Sequence, residues 1–417
     1  MPGLREVSEP HRSPPRRSVP WRILTAAAWS ILLVLACLRS NQPAVLGLWS
    51  RSYAVLLAAL GGGVALVTAA LLRPALRAPL VLLAASTLLA LSLAELALRT
   101  FDPFGISYYS EMTRYILDRL PDPELKFRQR PGFSAVYEGV ELRFNERGLR
   151  DDPIGPKPCG EYRILALGDS QTLGWGSPRE VIWPVRLSRL LSERLDRPVR
   201  VINTGVAGYE SRQEYRYLLR DGYGLDPDLV LLLYIENDVE VNDDPYDPWR
   251  EASLDGKGWK ERLPLLLRKL RLYQLGFRAQ DLFKQARAAE WKPGDYRIPY
   301  DFVRSMRDLP GWKASMSAVA GMATSARERG LPFAVVYFSW TRRPFDDGLL
   351  ESVRAAAAPF PVAYTEPWFE GSDVRRYFVS MTDSHPNAEG HRILAEHIAS
   401  FLLDQGWIQS GSPPECR

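Results

Sequence analysis

An α/β fold carried behind a membrane-spanning N-terminal segment is what this sequence predicts, and three observations predict it. Three long apolar runs come before residue 100. From Tyr162 onward, short apolar runs of strand length alternate with stretches of helical spacing, the pattern of a parallel sheet with right-handed crossovers. Residues able to do chemistry cluster just after those strand-like runs, where an open parallel sheet presents its functional rim.

The apolar runs are Trp21–Leu38, Tyr53–Leu72 and Leu80–Leu98. The first carries only Arg22, the second no charge, and the third only Glu95. About 20 helical residues cross a ~30 Å hydrocarbon layer, so each run is long enough to span. They are apolar on all faces, whereas a buried helix of a globular domain shows one stripe. Arg5, Arg12, Arg16, Arg17 and Arg22 favour a cytoplasmic N-terminus. Three transmembrane helices then put everything after Leu98 on the extracytoplasmic side, the periplasm in a bacterium. A lipid-attachment site at Val34-Leu35-Ala36-Cys37 is disfavoured, because Leu35 fills a small-residue position and two more spans follow. Gly61-Gly62-Gly63 permits close helix approach and hence a membrane partner protein, although glycine is also common in spans without one.

The net charge of +4, from 53 basic and 49 acidic residues, argues against a nucleic-acid partner. The expected organisation is a basic tail over 1–20 and spans over 21–99. A juxtamembrane linker follows over 100–160, in which "FSAVYEGVELRF" reads as a hairpin. The catalytic-type domain covers 161–405, with a helical insertion at about 240–300, and a tail covers 406–417.

Within the domain, "YRILAL" (Tyr162–Leu167) is the first strand and Val185–Leu195 a helix. "PVRVIN" is the second strand, followed by a helix over Ser211–Leu219. Leu229–Tyr234, nearly all apolar, reads as a third strand buried on both faces. Phe333–Phe338 is the fourth, preceded by a helix over Lys313–Arg329. "PVAY" is the fifth, and Ala388–Leu403 the final helix. In the insertion, Leu263, Leu266, Leu267, Leu270, Tyr273 and Phe277 fall at helical spacing opposite a basic face. That helix packs on the domain or serves as a lid or membrane-surface helix; the spacing suits both.

The strand ends carry Gly168-Asp169-Ser170, Asn203-Thr204-Gly205, Glu236-Asn237-Asp238 and, before the last helix, Asp383-Ser384-His385-Pro386-Asn387. On one rim this set suits acyl transfer. Ser170 is a candidate nucleophile, His385 its general base, and Asp383 the carboxylate that orients the imidazole. The Ser170 and Gly205 amides and the Asn237 side chain are candidate oxyanion donors. Asp169 reads as structural, bonding the turn's own amides. His391 and His397 lie six apart, unlike a helical metal pair, and read as ordinary helix residues. Asp243, Asp244 and Asp247 read as a solvated loop, and no metal or cofactor is expected. Trp175 suits either stacking on a sugar ring or packing of the turn.

"ALGDSQTLGWG", "VINTGVAGY", "YIEND" and "DSHPNAEGH", in this order, resemble the sequence blocks of the SGNH/GDSL hydrolase superfamily, over roughly Phe144 to Leu403. The resemblance implies a flavodoxin-like three-layer doubly wound parallel sheet and a serine esterase site, with Ser170 as nucleophile, Gly205 and Asn237 as oxyanion donors and His385 as base. Two positions depart from the family pattern. Asp383 stands two residues before His385 where many members have three, a spacing similar to that of some polysaccharide O-acetyltransferase relatives. Ile235 stands where the third block often has glycine. With the last helix running back from the rim, Cys159 and Cys416 are placed for a disulfide, which an oxidising compartment permits.

The expected function is therefore a membrane-anchored extracytoplasmic serine esterase using an acyl-serine intermediate. Its substrate is an acylated small molecule, lipid or polysaccharide. An O-acyltransferase acting on cell-surface polysaccharide is the alternative, and a non-catalytic assembly module is a third.

Overall fold

The computed structural model describes residues 75, 77–102, 105–239, 270–276, 279, 310–340, 346–369, 374–380 and 383–408. The chain divides into two compact units after Leu96. In the first, helix α1 (Arg77–Phe101) is the described element. Its residues Ala78–Phe101 form, among the described residues, one helix long and apolar enough to cross a membrane. Most of its apolar side chains are exposed, Leu82 to 70% and Leu88 to 66%, while Leu98 near its end is buried. The predicted spans Trp21–Leu38 and Tyr53–Leu72 lie outside the described residues, as do Cys37, Cys416, the acids Asp243, Asp244 and Asp247, and most of the insertion. Of the amphipathic segment Leu263–Phe277, residues 271–276 are described and helical.

The second unit is organised by five parallel strands: β5 (Tyr162–Leu167), β6 (Val199–Asn203), β7 (Leu229–Tyr234), β8 (Phe333–Tyr337) and β9 (Val362–Tyr364). Their order is β6-β5-β7-β8-β9. Counted within the sheet this is 2-1-3-4-5, the flavodoxin-like doubly wound order. Every residue of β5, β7 and β8 is buried, which is why these strands read as continuous apolar runs. Because successive side chains alternate between faces, each strand feeds two cores. Leu165, Leu167, Val230, Leu232, Phe333 and Val335 pack with the helices α5 (Ser211–Tyr217), α6 (Pro310–Glu328) and α7 (Asp346–Ala357). Ile164, Ala166, Leu231, Leu233, Ala334 and Val336 pack with α4 (Trp183–Leu195) and α8 (Ala388–Asp404). The result is a three-layer α/β/α arrangement.

Residues 105–154 are more than the linker expected from sequence. Helix α2 (Ser107–Asp118), hairpin β1–β2 (Leu120–Asp122, Lys126–Arg128) and hairpin β3–β4 (Ser134–Tyr137, Val140–Arg143) belong to the second unit. Tyr115, Tyr137, Leu142 and Phe144 form a third core with Leu173, Trp175 and Ala207 from the strand-end loops. Buried Arg119 donates to the Ala207 carbonyl at 2.7 Å and lies over the Phe127 ring. The cap is thus bonded to the rim it covers. Cys159, just before β5, is disulfide-bonded.

Candidate active site

The turn after β5 is forced by its residues. Gly168 has φ 152°, and a Cβ there would stand 2.1 Å from Thr172 Oγ1. Asp169 then caps the short helix α3 (Ser170–Leu173) by accepting the Gln171 N–H at 2.9 Å. Gly205 approaches this turn so closely that a Cβ would lie 2.3 Å from Leu173 N and 2.8 Å from Asp169 O. Arg150, 1% exposed, donates to the carbonyls of Leu173 (3.0 Å), Gly174 (2.6 Å) and Ser177 (2.7 Å). It binds carbonyls at the end of α3 and in the following loop, sharing that of Gly174 with the Ser177 N–H at 3.3 Å.

Ser170 opens α3 and is 7% exposed. Its Oγ lies 2.7 Å from His385 Nε2, and His385 Nδ1 lies 2.5 Å from Asp383 Oδ1. The same Asp383 oxygen accepts the His385 backbone N–H at 3.0 Å. That double contact is what the two-residue spacing allows: an aspartate readily bonds the amide two positions on, and here the turn also brings Oδ1 to the ring. The rest of the block holds the loop. Ser384 O accepts from Trp340 Nε1 at 3.0 Å, and Asn387 caps α8 through Glu389 N and Gly390 N. Burial disfavours charge on His385, but the Asp383 carboxylate outweighs it and holds the imidazole pKa above 6.5. Burial pulls Asp383 the other way, yet His385 keeps its carboxyl below 3.8.

The oxyanion candidates divide. The Ser170 N–H is the first of its helix, and such amides have no intrahelical acceptor. The Asn237 amide donates to Asp169 Oδ2 at 3.3 Å, leaving a second N–H on the same nitrogen. Gly205 departs from the expectation: its single N–H already donates to Asn203 Oδ1 at 3.0 Å. What its position requires is the close approach to the Ser170 turn. Ile235 needs no glycine-like backbone, because its φ is not positive, and its N–H donates to Asp238 Oδ2 at 2.8 Å in a turn that presents Asn237.

The other candidates fall elsewhere. Trp175 is fully buried, edge-on to Tyr115 at 5.2 Å, and its Nε1 donates to Glu138 Oε2 at 2.8 Å. Packing, not sugar stacking, is its environment. His391 is buried in α8, where Nδ1 accepts the Trp183 N–H at 3.3 Å, and His397 stacks on Trp368. Sequence reasoning passed over Arg150, Tyr108 and Glu138. The Tyr108 ring, from α2, stands 6.0 Å from that of His385. Glu138 lies against Asp383; burial, then the Asp383 charge and hydrogen bond, push its carboxyl up to about 8. One signal for it was legible: a glutamate in a two-residue hairpin loop, where Asn, Asp or Gly is usual.

The fold and the serine–histidine–aspartate constellation at the strand carboxyl ends define an α/β protein of the ester-hydrolase class. A GDSL-like Lipase/Acylhydrolase family model matches residues 166–393, and the chain belongs to that family. It is an enzyme acting on ester bonds. A search of curated proteins returns no match. Among solved structures it is similar to the lipase Lip_vut3 from a goat rumen metagenome, at 15% identity over 57% of this chain and 96% of that one, TM-score 0.36. It is also similar to a catalytic mutant of Axe2, an acetylxylan esterase from Geobacillus stearothermophilus, at 16% identity over 61% and 100%, TM-score 0.35. A third is a two-domain esterase active on acetylated mannans, at 14% identity over 62% and 53%, TM-score 0.35.

Proposed function

We propose that this protein is a membrane-anchored serine esterase whose catalytic unit works outside the cytoplasm, with Ser170 as nucleophile, His385 as base and Asp383 as its orienting carboxylate. The observation that carries the reading is the unbroken chain Ser170 Oγ–His385–Asp383, at 2.7 and 2.5 Å, on the carboxyl rim of the sheet. His385 Nε2 takes the hydroxyl proton as Oγ attacks the ester carbonyl. The imidazolium, paired with Asp383, returns that proton to the leaving alcohol, and water then resolves the acyl-serine by the same steps in reverse order. The Ser170 N–H and the second Asn237 N–H supply the oxyanion donors. Anchoring is supported by the exposed apolar length of Ala78–Phe101 and by the basic N-terminal tail. The disulfide at Cys159 favours an oxidising compartment.

The test uses the full chain in detergent beside its Ser170→Ala variant, with p-nitrophenyl acetate, alone or with a bare or acetylated oligosaccharide. Serine-dependent release, with no acyl gain on the sugar, is expected. Release accelerated by a bare sugar that gains one acetyl group would replace hydrolysis by O-acyl transfer. Equal rates in both proteins would remove the catalytic assignment.

A further inference from the structure

Glu138 occupies a position that its backbone disfavours. In the β3–β4 hairpin Tyr137 pairs with Val140, so Glu138 and Gly139 are the whole loop. Both are left-handed, at φ 49° and 77°, as a type I′ turn requires. A Cβ meets a steric penalty in that region, so the turn alone would favour asparagine or glycine. What glutamate adds is a carboxyl that reaches the catalytic loop.

Asp383 spends Oδ1 on the ring and the backbone of His385. Its Oδ2 is buried without an N–H donor. Glu138 stands at hydrogen-bonding distance from Asp383, while its Oε2 accepts the Trp175 indole N–H. Two carboxylates offer only acceptors; one shared proton turns the contact into a bond. Asp383 is 1% exposed and its charge is matched by His385, so the proton belongs on Glu138.

We infer that Glu138 is a positioning residue: its protonated carboxyl donates to Asp383 Oδ2 and, through Asp383, orients His385 toward Ser170. The inference rests on the esterase reading above. The bond spreads the Asp383 charge over both oxygens and so moderates its pull on the imidazole proton. The carboxyl's rise to about 8 agrees with a group that keeps its proton at neutral pH. The charges that bear on Glu138 are Asp383, with His385 behind it, and more weakly Asp102 at the end of α1. From α2, Arg114 is turned to the Tyr137 ring and the Val136 carbonyl.

The experiment compares wild type, Glu138→Gln, Glu138→Ala and Ser170→Ala, each as full chain in detergent, by kcat/KM for p-nitrophenyl acetate against pH. Glutamine can accept from Trp175 through its oxygen and donate to Asp383 through its nitrogen. Its neutral-pH rate is expected within about twofold of wild type, while the inflection near pH 8 disappears. Alanine is expected to lose about tenfold, the size of one hydrogen bond to a buried charge, and to move the acid limb upward. An inflection that persists in Glu138→Gln, or a Glu138→Ala profile lying on wild type, overturns the inference. Should the alanine variant misfold, the glutamine profile decides by itself. Infrared difference spectra of wild type against Glu138→Gln at neutral pH should show a carboxylic-acid C=O band, whose absence also overturns it. If Ser170→Ala matches wild type, the esterase reading falls, and the infrared band still decides the proton.

Discussion

The loop before α8 and the first turn of that helix each bury a histidine, and the two rings behave in opposite ways. His385 is 7% exposed and His391 fully buried. Burial by itself penalises the imidazolium at both. At His385 the Asp383 carboxylate reverses that penalty and the pKa rises above 6.5. At His391 burial acts with Arg150, His385 and Arg186, all of which disfavour a proton, and the pKa falls well below 6.5. A partner rather than depth decides which histidine handles protons, and the partner here lies two residues away in sequence.

The sharpest way to break the comparison is Asp383→Asn, which gives His385 the electrostatic surroundings of His391. A loss of about 10⁴-fold in kcat is expected, the size known for triads deprived of the carboxylate. The acid limb of kcat/KM, which lies above pH 6.5 in wild type because His385 must be neutral to act, should move below it. A variant that keeps both rate and limb would show that Asp383 does not set the base.

Asn237→Ala comes next. It removes one oxyanion donor and leaves both histidines untouched, so a fall of about 10² to 10³ in kcat is expected with the pH limbs in place. A shift in the limbs would mean that Asn237 acts through Asp169, to which it also donates.

The smallest effect concerns stability, and its sign differs between the two rings. His391 binds its proton more readily when unfolded, so its contribution is full above about pH 6.5 and declines as pH falls through that value. His385 has the opposite sign: its contribution is present below pH 6.5 and is lost as pH rises through its higher folded value. Unfolding followed by tryptophan fluorescence across pH 5 to 8 should therefore show an acid-side slope that His391→Gln abolishes. About 1 to 3 kcal/mol of stability is at stake, since Nδ1 also holds the Trp183 amide. An unchanged slope would place the acid sensitivity elsewhere.

How much of this was legible follows from which interactions are local. The strands from Tyr162, Leu229 and Phe333 could be read because strands buried on both faces must be apolar throughout. Gly168-Asp169-Ser170 could be read because the turn it forms needs a glycine and a capping carboxylate within three positions. The cap was not legible: α2 and the β1–β2 hairpin are buried only against distant segments, α2 through Tyr115 meeting Tyr137 and Trp175, the hairpin through Leu125 and Phe127 in the core on the sheet. Helix α7 was missed because its apolar side is short, with Leu349, Leu350 and Val353 buried against the sheet. The Asn203 Oδ1 acceptor of the Gly205 N–H was not legible for a similar reason, since sequence order gives a residue's place on the rim but not which acceptor its N–H finds.

By itself, then, the sequence determined the alternation of strands and helices, the apolar length of the segment before residue 100, and the four strand-end clusters, because periodicity, turn chemistry and hydropathy act over a few residues. The tertiary structure alone decided the strand order that brings Ser170 beside His385, the burial of Trp175, and the meeting of Glu138 with Asp383. Those contacts join segments far apart in the chain, and long-range packing, hydrogen-bond partners and desolvation exist only once the layers have closed.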